Sequence, residues 1–516
     1  MSKRTRWHCA GALGMAALLL AAGCGNGNNG GNDGNGNTGG ATGGDGGQVG
    51  AGSVPTFEVM FDYNVDPEGM SLTDNEYIDY LEEQTGVRVE VNSPGSAGYM
   101  DKLNILMASG EYPDGFMVTE ANRAKLLQFA GDGLLTDLAP YLDDYPNLSE
   151  VMPEEAWLPV TQEGKVWALP YNRHDGFNQV VYINKTWLDA LGLDIPRTVD
   201  EFYAVMKAFT DKDPDGNGKD DTFGLLANSD LSYGGRMFQA AFGAEGYTYE
   251  GGELLPAEIT PAYQQYLAFM NRLTAEGILD PEFPTTTGTI FRQKINTLKY
   301  GMFNGFWHFQ SGKEFSPGVF DHFIAIAPPL RPDGSETVFT YNSTNRHYIA
   351  IPESTDNVEA LLSFYDWAVS EEGTKYNFMG IEGVHWQETA DGGYEKIGER
   401  NALHWAFSMI KHGLYTDEVK AYMKTEFGDD VIDNLTLASD TGTLDKIAAS
   451  LPYYPELAAY NLPKIVEEYR AKAILGNANV EADFDAFVAK YRASGGDKAI
   501  GLWTDWYEAN KASLQD

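Results

Sequence analysis

Apolar residues set the rhythm of this chain from Thr56 onward. Phe57, Val59, Phe61 and Tyr63 fall on every second position, which predicts a strand with one buried face. Thr73-Asp74-Asn75-Glu76 has the spacing of a capping box. It predicts a helix with Tyr77, Ile78 and Leu81 on one face and Gly86 as its stop. Val87, Val89 and Val91 alternate with Arg88 and Glu90 as a second strand. A helix through Leu103, Leu106 and Met107 stops at Gly110, and residues 115–118 give a third strand. Strand, helix, strand, helix, strand implies parallel pairing with right-handed crossovers. The fold class is therefore α/β, and ligands of such sheets gather at the carboxyl ends of the strands.

The rhythm resumes after Pro170. Residues 179–183 predict a strand, 185–191 a short helix closed at Gly192, and 198–209 a longer helix with a second capping box from Thr198 to Glu201. Another amphipathic helix begins at Val358, and the last hundred or so residues are mostly helical by period. At 516 residues the chain is two or three times the usual domain length, so more than one lobe is expected.

Before Thr56 the pattern is different. Lys3, Arg4 and Arg6 precede an apolar run over residues 10–22, the length of a signal-peptide core and too short to span a bilayer comfortably. The run ends Leu20-Ala21-Ala22-Gly23-Cys24, which resembles the lipobox of bacterial lipoproteins. That resemblance implies cleavage after Gly23 and diacylglycerol on Cys24. Ala21 stands where leucine is commoner. Residues 25–53 hold 14 glycines and 6 asparagines with no aromatic residue, and read as a flexible tether with a reach of roughly 30 Å. Its two G-x-G-x-x-G matches, at Gly25 and Gly34, neither follow a strand nor open a helix, so they are not nucleotide sites.

The formal charge of −39 argues against nucleic acid or an anionic membrane surface as a partner. The acyl chains would be the membrane attachment. Of the two cysteines, Cys9 falls in the signal segment and Cys24 carries the lipid, so neither a disulfide framework nor a thiolate site is expected.

Leu103-Asn104-Ile105-Leu106-Met107-Ala108-Ser109-Gly110-Glu111-Tyr112-Pro113-Asp114 resembles a stretch that recurs in family 1 extracellular solute-binding proteins. Gly133-Leu134-Leu135-Thr136-Asp137-Leu138, Val181-Tyr182-Ile183-Asn184-Lys185 with Trp187-Leu188, and Gly383-Val384-His385-Trp386 follow in the order that family shows. The resemblance covers roughly residues 55–510. It implies a non-enzymatic receptor of two α/β lobes, hinged about a cleft. The receptor would be held at the outer face of the cell membrane, work as a monomer and dock on the permease of an ABC importer. In the large subgroup that includes the alginate-binding proteins, the ligands implied are oligosaccharides. The expected division is 1–23 signal, 24–53 tether, 54–170 plus 328–384 first lobe, and 171–327 plus 385–516 second lobe.

Asp213-Pro214-Asp215-Gly216-Asn217-Gly218-Lys219-Asp220-Asp221 matches a calcium loop of the D-x-D-x-N-G form. Asp213, Asp215, Asn217 and Asp221 would offer side-chain oxygens and Lys219 its carbonyl, to a structural Ca2+. Position twelve is Gly224 rather than a bidentate glutamate. The alginate-binding proteins place a glutamate where this chain has Thr222.

A sugar site needs aromatic faces and planar polar groups. Most of the 10 Trp, 29 Tyr and 26 Phe are expected in cores. Position singles out Arg173, just before the crossover strand, Trp307, exposed by a turn at Gly305, and Trp386, on the return crossing. Tyr99, Asn304 and Arg346 are further candidates. No G-x-S-x-G, H-E-x-x-H or P-loop stands in the body, so no catalytic residue is assigned. The alternative is a secreted glycoside hydrolase, which needs only two carboxylates. The order of the solute-binding motifs argues against it.

Overall fold

The structure is a computed structural model and describes residues 54–62, 69–95, 98–172, 179–400, 404, 415–476 and 478–514. Two sheets organise the body. The first has five strands, in the order Arg88–Asn92, Thr56–Met60, Gly115–Thr119, Asn345–Ala350, Leu169–Asn172. Its first three strands pair in parallel, as the strand–helix rhythm predicts, and Asn345–Ala350 runs antiparallel to both of its neighbours. The second sheet has four strands, in the order Phe323–Ile326, Gln179–Asn184, Tyr300–Phe306, Phe223–Leu225. Gln179–Asn184 is buried along its whole length and runs antiparallel to both neighbours.

Each sheet has its own core. The buried residues around the first sheet come from 57–169 and 348–381. Those around the second come from 180–339, 379–438 and 462–500. Residues 330–341, assigned above to the first lobe, pack instead beside the second core. Leu330 bridges Thr198, and Phe339–Tyr341 pairs with Gly442–Leu444 beside the second core. The reason is local: Phe339 is fully buried there and anchors the segment before the chain returns at Asn345. The chain thus passes between the sheets after Asn172, between Tyr341 and Asn345, and between Ile381 and Trp386.

The helix starts show how the sequence writes these boundaries. At the second predicted box, Thr198 Oγ1 accepts the Glu201 N–H at 3.2 Å and Glu201 Oε2 accepts the Thr198 N–H at 3.0 Å. At the first, the cap is Asn75, not Thr73. Asn75 Oδ1 accepts the Tyr77 and Ile78 N–H groups at 3.0 and 3.2 Å, and its amide donates to the Ser71 carbonyl at 2.8 Å. Asparagine competes well for a helix N-terminus, and a buried one keeps both ends of its amide bonded. Thr73 is left in the turn before the helix. Among the described residues no helix is long and apolar enough to cross a membrane.

Candidate functional site

The strand Gly115–Thr119 runs straight into a turn over Glu120–Asn122 and the helix Arg123–Gly131. This is the carboxyl end of a parallel strand, where open sheets hold their ligands. The Glu120 carboxylate meets the Tyr348 hydroxyl and lies 3.6 Å from Arg123 Nε. Burial raises the Glu120 carboxyl above the usual range, and Arg123 opposes that shift. Arg123 also donates through Nη1 and Nη2 to the carbonyls of Ala449 and Ala448 at 2.8 and 3.2 Å. These belong to the last turn of the helix Lys446–Ser450, whose carbonyls have no partner within the helix.

Glu120 and Arg123 form one wall of a cavity of about 680 Å³. Tyr247, Glu258, Tyr454, Arg470 and Trp503 of the second lobe form the others. The volume lies within the range of small-ligand sites. Tyr247 and Trp503 meet edge to face, with centroids 5.4 Å apart. Burial raises the Glu258 carboxyl as well, with the Arg470 guanidinium pulling the other way. Aromatic faces beside carboxylates and guanidinium groups are the chemistry that stacks on a sugar ring and bonds its hydroxyl rim.

The residues singled out from sequence lie elsewhere. Arg173 and Cys24 fall outside the described residues. Tyr99 is 1% exposed, and its hydroxyl sits 2.9 and 2.7 Å from the carbonyl oxygens of Met60 and Met117, pinning two strands together. Asn304 is 0% exposed and donates to Gln179 Oε1 at 2.5 Å and the Ser232 carbonyl at 3.0 Å. Trp307 is 3% exposed, not displayed by a turn. Gly305 lies within the strand, paired with Val180, and the Phe309 ring lies where a Cβ would stand. The glycine therefore serves ring packing, and Trp307 packs edge-on to Tyr415 with centroids 6.1 Å apart. Trp386 is 5% exposed and donates Nε1–H to the Gly380 carbonyl at 2.9 Å. Arg346 is exposed, at the bulge between Asn345 and His347. None of these described residues lines the cavity. Of the residues that do, Glu120 was signalled by its place at a strand end. Tyr247, Arg470 and Trp503 come from distant segments, and no local pattern marks them.

The acidic loop turns tightly, with Asp213, Gly216 and Gly218 all at positive φ. Its carboxylates close on donors. Asn217 Nδ2 donates to Asp215 Oδ2 at 2.7 Å and Asp221 Oδ1 at 3.0 Å, and Asp213 Oδ2 accepts the Gly218 N–H at 2.9 Å. Burial and the neighbouring Asp213 carboxylate raise the Asp215 carboxyl. Lys299, 2.8 Å away, lowers that of Asp221. Among the described residues no three acidic or imidazole groups are already drawn together at ion-binding spacing. Two carboxylate oxygens meet at the Asn217 amide, fewer than the six to eight oxygens that a calcium ion takes. The buried Thr222 hydroxyl donates to the Phe209 carbonyl at 2.9 Å.

Residues 67–375 match the family model described as bacterial extracellular solute-binding protein. The polygalacturonan/rhamnogalacturonan-binding protein YtcQ of Bacillus subtilis is 28% identical over 446 residues, covering 84% of this chain and 88% of that protein. Among solved structures, a solute-binding protein titled as binding HMO and associated with an ABC transporter, from Bifidobacterium longum infantis, superposes with a TM-score of 0.69 at 19% identity. It covers 88% of this chain and 98% of its own. An EF-hand mutant of FusA from S. pneumoniae, bound to fructo-nystose, gives a TM-score of 0.66 at 18% identity, with 89% and 100% covered.

Proposed function

We propose, since this chain belongs to the family of bacterial extracellular solute-binding proteins, that it captures an oligosaccharide between its two lobes and delivers it to the permease of an ABC importer. The observation that carries the reading is the cavity of about 680 Å³, walled by Glu120 and Arg123 of one lobe and by Tyr247, Arg470 and Trp503 of the other. A ligand gripped from both sides favours closure, because only the closed form offers it both sets of contacts. The saccharide class is supported by the aromatic and charged walls and by relatives named for galacturonan and fructooligosaccharide binding.

Three further parts complete the proposal. Cys24 carries the lipid that holds the body outside the cell, with residues 25–53 as the leash. Asp213, Asp215, Asn217, Asp221 and the Lys219 carbonyl hold a Ca2+ that stiffens the loop; the EF-hand in FusA supports this. The protein binds its ligand without cleaving it. Isothermal titration with oligogalacturonides and fructo-oligosaccharides tests the reading. Binding of one series, with no release of reducing ends on incubation, is expected. Peptide binding without saccharide binding would overturn the sugar class, and catalytic release of reducing ends would favour the hydrolase.

A further inference from the structure

The helix Leu462–Ile474 borders two cavities. Leu462, Val466, Glu467 and Arg470 face the one described above. Glu467, Arg470, Ala471 and Ile474 face a second, of about 360 Å³, closed on its far side by Ser229, Asp230 and Phe283. Glu467 and Arg470 belong to both walls, so the two spaces adjoin at these side chains. Positions 463, 467, 470 and 474 follow one another at intervals of three and four, which makes a single stripe along the helix. Thirteen residues carry that stripe over roughly 20 Å.

The far wall has suitable chemistry. It follows the carboxyl end of the strand Phe223–Leu225, a position equivalent to that of Glu120 in the first sheet. Ser229 and Asp230 are exposed. Asp230 Oδ1 accepts the Ser232 N–H at 2.9 Å and its hydroxyl at 2.6 Å, which fixes the carboxylate in place. Phe283 and Ile474 close the space with apolar surface.

We infer that the two cavities are one elongated site, which takes a linear oligosaccharide along the Leu462–Ile474 helix, with Arg470 at its middle and the distal sugars between Ala471 and Asp230. This rests on the saccharide reading and adds to it a chain-length preference and a second set of contacts. Short sugars fill only the first space, and each unit beyond it gains contacts in the second.

Ser229→Trp and Ala471→Trp test it. Both positions are exposed, so a bulky ring can be added without entering a core. Oligogalacturonides and fructo-oligosaccharides from dimer to hexamer serve as probes in isothermal titration, with circular dichroism confirming the fold of each variant. In the native protein the hexamer of the recognised series binds about tenfold tighter than the dimer, a difference of about 1.4 kcal/mol. In either variant the ratio of dimer to hexamer Kd falls toward one. Native affinities that do not vary with chain length would overturn the inference and leave the saccharide reading standing. So would variants that keep the native ratio, or that lose dimer and hexamer binding together. Native protein that binds no saccharide of either series would overturn both.

Discussion

Arg123 Nη1 lies 2.8 Å from the carbonyl oxygen of Ala449, so a guanidinium just beyond the strand Gly115–Thr119 closes the end of a helix from the far part of the chain. A second bond, to Ala448, makes the contact two-pronged. Lysine offers a point charge where this site needs a fork. Arg123→Ala is expected to cost about 1.5–3 kcal/mol, the range for hydrogen bonds made by a charged group. The thermal midpoint should fall by several degrees, with Arg123→Lys recovering only part of the loss. A midpoint unchanged in differential scanning calorimetry would show that the bridge contributes no net stability.

His385 gives a stability that depends on acidity. The ring is buried, its Nδ1 accepts the Ile381 N–H at 3.0 Å, and it stacks on Tyr77 with centroids 5.6 Å apart. Burial lowers its pKa from 6.5, with the Glu76 carboxylate opposing the shift and the Arg400 guanidinium adding to it. The unfolded chain therefore takes up a proton at a higher pH than the folded one. Stability present above about pH 6.5 is lost as the pH falls below it. His385→Asn keeps an acceptor for Ile381 but does not titrate. Its urea midpoint should change less than the native one between about pH 7.5 and 5. Equal slopes would rule out the imidazole as the source.

The Asp213 loop carries the metal prediction. Calcium should raise the thermal midpoint of the native protein and chelator should lower it, because an ion bound only by the folded state adds to its stability. Asp213→Asn with Asp215→Asn should abolish the difference between the two conditions. The apo protein should gain slightly from the exchange, since burial and Asp213 already hold Asp215 above its ordinary range. A calcium response that survives the double substitution would place the ion elsewhere.

Trp307 offers a contrast between core and contact. Its ring is buried and its carbonyl accepts from the Tyr182 hydroxyl at 2.9 Å and Asn434 Nδ2 at 3.2 Å. Trp307→Ala should cost about 3–5 kcal/mol, as large-to-small changes in a packed core do. Trp307→Phe should be far milder and should leave saccharide titrations within twofold of the native curve. A large loss of affinity with an unchanged midpoint would instead make Trp307 a ligand contact.

The framework was legible because it is written locally. Gly86, Gly110 and Gly192 stop helices at positive φ, and the Val87, Val89 and Val91 alternation buries one face of a strand. The groove was not, because its walls are assembled from segments hundreds of residues apart. Nothing in the neighbourhood of Tyr247 or Trp503 announces that the two rings will meet. The aromatic residues that position favoured, Trp307 and Trp386, were drawn into cores by the same apolar surface that made them attractive as contacts. Gly305 misled for a related reason. A glycine in a strand can mark a turn or the close approach of another group, and here it is the approach of the Phe309 ring.

The strand Asn345–Ala350 fills the gap between Gly115–Thr119 and Leu169–Asn172 in the first sheet. Its insertion sets a clock on biogenesis. While the ribosome is still making the second half, the first has three strands and a fourth, Leu169–Asn172, with no neighbour to bond. The first sheet is therefore not complete until Asn345–Ala350 has been made, well after both of its neighbours in the sheet.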